Sequence, residues 1–131
     1  MSETKYFYGV GRRKACTARA KVYEGAELTV VINGKKLEEY FPSFYQLTIT
    51  EMLEKVGLKS AKIELFINGG GVTGQSDAAR LAIANALLKK DDEGFRPVIR
   101  ANGYNTTDIR KVLAKKAGRP KARKSRQWVK R

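Results

Sequence analysis

The last 22 residues, 110–131, hold eleven Lys or Arg and no Asp or Glu. Residues 1–109 hold the other 16 basic residues and all 13 acidic ones, so the net charge of +14 divides into +3 and +11. Like charges at that density repel and extend a chain. From residue 114 onward the apolar side chains are Ala114, Ala117, Ala122, Trp128 and Val129. Any core must therefore come from residues 1–109, and we read two parts: a globular body, 1–109, and a basic C-terminal helix with an extended tail, 110–131. Crowded cations become favourable when a polyanion neutralises them and releases its own counterions. A 22-residue segment spans at most about 70 Å, against a radius of gyration near 13 Å for such a body. The segment reads as a long arm for nucleic acid.

Several classes of chemistry are excluded early. The chain has no His and one cysteine, Cys16. That removes His-activated nucleophiles and the commonest general base. It also removes a zinc site of the usual ligand set and any internal disulfide, which fits a reducing compartment. Residues 1–30 lack the apolar segment of a secretory signal, and no run of 18 apolar residues exists. We expect no enzyme, no cofactor, no metal and no membrane span. Hydrophobic residues make up 42% of the chain, enough for one modest core in the body.

Residues 6–11 start as an aromatic strand broken by Gly9 and Gly11. Residues 15–22 alternate, with Ala18, Ala20 and Val22 on one face and Arg19 and Lys21 on the other. From residue 5 to 22 there are six basic residues and no acid. A merely solvated face usually mixes signs, so Arg12, Arg13, Lys14, Arg19 and Lys21 are candidates for nucleic-acid contact. Residues 28–32 form a β-branched strand ended by Asn33 and Gly34, a strong turn pair. One or two helical turns over 36–41 stop before Pro42. A helix over 45–56 carries Leu47, Ile49, Met52, Leu53 and Val56, with Gly57 as its cap. Residues 63–67 are a strand, and a helix runs from 73 or 74 to about 90. Its stripe of Ala79, Ile83, Ala86 and Leu87, among many alanines, suits close packing on a sheet. Residues 91–94 break the pattern. A short helix follows over 95–101, and a last one from 107 or 108 to 117, stopped by Gly118 and Pro120.

Gly69, Gly70, Gly71 and Gly74 satisfy G-x-G-x-x-G between a strand and a helix, the setting of the dinucleotide fingerprint. No second parallel strand precedes the acidic residues 91–93, and no Gly-Lys-Ser/Thr follows the loop, so nucleotide binding fails at the next step. The loop still brings backbone N–H groups to a helix N-terminus, where a phosphate fits. The competing reading is a sterically demanded tight turn. Two rival functions also stand on composition alone. A helix-turn-helix DNA binder could use residues 95–118, though the strongest charge lies beyond them. A membrane-surface anchor would need an apolar face that the tail lacks.

Taken together, spaced motifs along nearly the whole chain resemble small-subunit ribosomal protein S-nine of the bacterial type. They are Tyr-Gly-Val-Gly-Arg-Arg-Lys at 8–14 with Thr-Ala-Arg at 17–19, and Ile-Asn-Gly at 32–34 with Glu-Tyr-Phe at 39–41. Then come Gly69, Gly70 and Gly71 with Gly74 and Gln75, and Ala-Leu-Leu at 86–88. Arg96-Pro97, Thr107-Asp108 with Arg110, Lys-Ala-Arg-Lys at 121–124 and a terminal Lys130-Arg131 complete the set. The resemblance implies an α/β (α+β) two-layer sandwich like the second domain of ribosomal protein S-five, with one sheet backed by helices and a left-handed βαβ crossover. It implies a place on the head of the small subunit in the cytoplasmic ribosome, bound to the 3′ major domain of its rRNA and beside other head proteins, with no self-association. Arg12, Arg13, Lys14, Arg19, Lys21, Gly69, Gly70, Gly71 and Gln75 are then rRNA contacts of the body. Arg110, Lys111, Lys115, Lys116, Arg119, Lys121, Arg123, Lys124 and Arg126 are those of the tail. Lys130 and Arg131 would meet phosphates of the peptidyl-site tRNA. Two departures stand out: Trp128 and Val129 occupy positions where the family often has Tyr and Ser, and Leu81 one where it often has His.

Overall fold

A computed structural model describes residues 5–25, 27–107 and 114–129. Along them run β1 (Tyr6–Arg13), β2 (Cys16–Tyr23), β3 (Leu28–Ile32), β4 (Lys35–Lys36), α1 (Leu37–Tyr40), α2 (Ser43–Val56), β5 (Ala61–Asn68), α3 (Val72–Lys90) and α4 (Asp92–Asn102). The strands form one mixed sheet in the order β1-β2-β5-β3-β4. β3 and β5 are parallel and the other neighbours antiparallel.

Period-two patterning decides which face is covered. On β2, Cys16, Ala18, Ala20 and Val22 are buried, and on β5 so are Ala61, Ile63, Leu65 and Ile67. The register places these sets side by side, Ala18 opposite Ile67 and Ala20 opposite Leu65. They join Ile49, Met52 and Leu53 of α2, Ile83 and Leu87 of α3 and Ile99 of α4 in one core cluster. The result is two layers, with helices on one face of the sheet and the alternate residues of β1, β2 and β5 left on the other.

The strand glycines have a packing cause. α3 lies against β1 so closely that a Cβ on Gly9 would collide with Ala82 O and Ala86 N, and one on Gly11 with Ala78 O. The facing helix residues Ala78, Ala82 and Ala86 recur every fourth position, on one side of the helix. Asn85 Nδ2 donates to Val10 O at 2.8 Å, satisfying a carbonyl of this edge strand. α3 is buried almost all round, as a helix enclosed by several elements must be. Leu81 is among its buried residues.

The turn at Asn33 and Gly34 has φ of +50° and +83°, the pair of left-handed residues a two-residue hairpin demands. It lets Lys35 and Lys36 pair with Ile32 and Val31. Lys36, expected to open a helix, therefore closes a hairpin, and α1 starts one residue later. α2 ends as expected at Gly57, whose φ is +81°. Its Leu47 is not core but 60% exposed. Two residues from Ile49 is a turn of about 200° around the helix, which carries Leu47 off the stripe of Ile49, Met52 and Leu53. The acidic segment after α3 is a shorter break than expected. Asp91 alone separates the helices, and its Oδ1 accepts from Gly94 N–H at 3.1 Å as the cap of α4. Asp92 and Glu93 then suit the positive end of that helix. Of the helix expected from 107 or 108 to 117, residues 108–113 lie outside the described residues, and 114–116 have no regular secondary structure.

Candidate nucleic-acid interface

The contact candidates of the body separate into three places. On the uncovered sheet face Arg12 and Arg19 are exposed and Lys21 is half-exposed. Arg19 is opposite Phe66 across the β2–β5 ladder, and its guanidinium carbon sits 5.6 Å from the centre of that ring. The Lys21 ammonium lies 4.9 Å from the Tyr6 ring and 5.6 Å from the Phe66 ring. Aromatic faces attract these cations and hold the charged ends above the sheet.

Beside the end of β1 a cleft of about 340 Å³ is lined by Arg12, Arg13, Asp77, Arg80, Leu81, Gly103, Tyr104 and Thr106. Three guanidinium groups line it, and two of them, those of Arg13 and Arg80, pair with the one carboxylate, Asp77. Arg13 Nε is 3.3 Å from Asp77 Oδ2, and the Arg13 side chain is only 13% exposed. Arg80 is 4.0 Å from the same carboxylate and 5.4 Å from the centre of the Tyr104 ring. Arg13 thus ties β1 to α3, whereas Arg12 faces solvent. Arg80 is not among the contact candidates of the sequence, because a lone Arg in an alanine-rich helix carries no local signal of contact. It becomes interesting only when the fold brings it to Arg12.

The glycine loop is the third place. Gly69 and Gly70 have φ of +79° and +64°, and a Cβ on Gly70 would strike Cys16 Sγ. The backbone path demands both glycines, and a side chain is further excluded at Gly69 by the Ala15 carbonyl and at Gly70 by the buried Cys16. Gly71 caps α3, and its carbonyl accepts from Gln75 N–H at 2.9 Å. Gln75 is committed to the protein: its Nε2 donates to Gly69 O at 3.0 Å, and its Oε1 accepts from Tyr40 OH at 3.0 Å. Tyr40 in turn meets Asn33 Nδ2 at 3.5 Å. Asn33 exchanges two 3.0 Å hydrogen bonds with the backbone of Ile67, so its amide extends the β3–β5 ladder like one more residue. This network braces the loop. Lys14, exposed in the turn between β1 and β2 with φ of +55°, adds its charge beside the same loop.

In the tail, Lys115, Lys116, Arg119, Lys121, Arg123, Lys124 and Arg126 are all exposed. Gly118 takes φ of +77°. Arg119 donates to Arg123 O and to Ser125 Oγ, both at 3.0 Å, folding the segment into a local turn. Arg110, Lys111, Lys130 and Arg131 lie outside the described residues. Among the described residues no cluster of three or more His, Cys, Asp or Glu could hold a metal, and no helix is long and apolar enough to cross a membrane.

The arrangement suits an extended polyanion. The family model for ribosomal protein S9/S16 matches residues 11–131. The chain is 46% identical over 129 residues to small ribosomal subunit protein uS9 of Porphyromonas gingivalis, covering 96% of this chain and 98% of that one. It is 47% identical over 124 residues to the uS9 of Parabacteroides distasonis, covering 93% and 95%. With the uS9 of Bacteroides fragilis it shares 46% identity over 125 residues, again covering 93% and 95%. A matched span running from the end of β1 to the last arginine, at this identity and coverage, places the chain in the ribosomal protein S9/S16 family.

Proposed function

We propose that the chain is a non-catalytic structural component of the small ribosomal subunit in the cytoplasmic ribosome. Its body, 1–109, docks on the 3′ major domain of the subunit's rRNA among the head proteins, and its tail, 110–131, reaches the peptidyl-site tRNA. The observation that carries this reading is the tail charge of +11 on a chain of this family. Arg12, Lys14, Arg19 and Lys21 contact RNA phosphates from the body. Gly69, Gly70 and Gly71 offer the N–H groups at the start of α3. Arg13 and Gln75 act from behind, holding β1 and the loop in place. The tail cations follow the rRNA, and Lys130 and Arg131 meet tRNA phosphates. For the fold, we take the β3-to-β5 connection through α1 and α2 as the left-handed crossover shared with the second domain of ribosomal protein S-five. Parallel neighbours joined through helices support a crossover, and its left hand rests on the family resemblance.

The test is binding of the full chain to the isolated 3′ domain of small-subunit rRNA, with generic RNA in excess, together with deletion of Lys130 and Arg131. Selective binding is expected to survive the competitor. The deletion is expected to lower tRNA affinity at the peptidyl site while subunits still assemble. Loss of all binding to competitor would overturn the docking reading, and unchanged tRNA affinity would overturn the tail's role.

A further inference from the structure

The uncovered face of the sheet carries an arrangement that phosphate binding does not need. Its rows follow from the strand register. Tyr8 is opposite Lys21 and Lys21 opposite Glu64. Val10 is opposite Arg19 and Arg19 opposite Phe66. Tyr6 is opposite Tyr23 and Tyr23 opposite Lys62. Every one of these side chains is exposed or half-exposed, with Tyr6 at 46% and Phe66 at 36%. An ordinary outer sheet face alternates to polar residues. Aromatic rings gathered there give up contact with the core and meet only one another, Tyr6 and Tyr23 at 5.5 Å between ring centres, and the cations beside them. They are not a folding requirement, because the core closes on the opposite parity of each strand.

The rings are also set among cations. Arg19 and Lys21 lie over the Phe66 ring, and Lys21 over the Tyr6 ring. Tyr8, Arg19, Lys21 and Phe66 line one shallow depression of about 120 Å³. The acidic residue of the face, Glu64, is met by Lys62 at 3.5 Å. The face is thus positive as well as aromatic. An acidic protein segment would use the charges and leave the rings idle. A duplex would offer phosphates and hide its bases. Unpaired RNA offers both, with bases that stack on aromatic rings and guanidinium planes and a backbone that the cations neutralise.

We propose that this face, centred on Phe66 with Tyr6, Tyr8, Arg19 and Lys21, is a stacking platform for unpaired nucleotides of RNA. The proposal rests on the ribosomal reading and refines it. The body recognises a looped-out or single-stranded segment by its bases, while the tail supplies sequence-independent affinity.

The experiment uses the full chain with a single-stranded RNA about eight nucleotides long, within the usual footprint of such surfaces, bearing one 4-thiouridine. Photocross-linking is expected on Phe66, Tyr6 or Tyr8. Phe66→Ala is expected to weaken binding roughly tenfold, the effect of losing one stacked base. The salt slope should not change, because a ring releases no counterions. Arg19→Ala should instead flatten that slope. Phe66→Leu keeps apolar area on the strand and removes the ring. It should behave like Phe66→Ala, which separates stacking from any loss of folding. If both Phe66 variants bind like the parent and cross-links fall only within residues 110–131, the platform is overturned and the face is left to a protein neighbour. That result leaves the ribosomal reading intact. Failure of the ribosomal reading would show differently, as cross-links retained on the sheet but no preference for the 3′ domain over competitor RNA.

Discussion

Cys16 shows how far one residue's surroundings depart from its local sequence. It is 1% exposed, packed beneath Gly70 and Gly74, with Sγ 3.7 Å from Gly71 O. Burial is the largest influence on its thiol and pushes the pKa up, with the hydrogen bond to Gly71 and then the Lys14 charge opposing. A raised acid pKa means that the folded state holds its proton at a pH where the unfolded state has lost it. The contribution to stability is complete below the unfolded value of about 8.5 and is lost as pH rises through the folded value. Native protein at pH 8 should therefore react with iodoacetamide far more slowly than urea-unfolded protein. The stability difference between the parent and Cys16→Ala should shrink above about pH 8.5. Equal alkylation rates would show that the thiol is not enclosed. The sequence offered only a single cysteine. That it sits under the glycine loop, and so helps dictate those glycines, could not be read from residues 55 positions apart.

Among the elements, the pairing of β1 with α3 is the tightest. The sequence shows an aromatic strand with two glycines and, 70 residues later, an alanine-rich helix, and the helix could be read as a close packer. What could not be read is that the two features face one another. Ala78, Ala82 and Ala86 bring the helix backbone to where the side chains of Gly9 and Gly11 would stand. A methyl group at Gly11 has backbone, not a flexible side chain, to displace. Gly11→Ala should cost about 3 kcal/mol or more, at the upper end for overpacking. Urea unfolding would show it as a lower midpoint at unchanged m-value. A midpoint within error of the parent would mean that α3 does not lie on β1 in this way. Elsewhere the strands of alternating residues and the turn at Asn33 and Gly34 were legible because their signals are local. The misplacement of Leu47 and the early start of α4 have a different cause. The helix-facing side of α2 depends on what it packs against, and a single Asp91 cap suffices to restart a helix.

For the whole molecule, the body is nearly balanced in charge and the tail is not, so binding should divide the same way. A protein making roughly 6–10 phosphate contacts loses about 10³–10⁵ in affinity between 50 and 200 mM salt. A chain ending at residue 117 lacks seven of the eleven tail cations. Its log–log salt slope on single-stranded RNA should be shallower by up to about 0.7 for each contact removed. Equal slopes for the two chains would show that these cations do not meet phosphate. The charge division, the single core, the exclusion of His-based catalysis and the family motifs were all present in the linear chain, because composition and short-range spacing survive without a fold. The roles within the site were not. Arg13 looks in the sequence like its exposed neighbours Arg12 and Lys14 and Gln75 like a free polar side chain, yet one is held by Asp77 and the other by Gly69 and Tyr40. Phe66 looks like a core residue of an apolar strand, yet the register turns it to the uncovered face beside Arg19. Strand parity, helix phase and partners as far as 75 residues distant decide such roles. Those are relations between segments, which come into being only when the sheet and its helices close on one core.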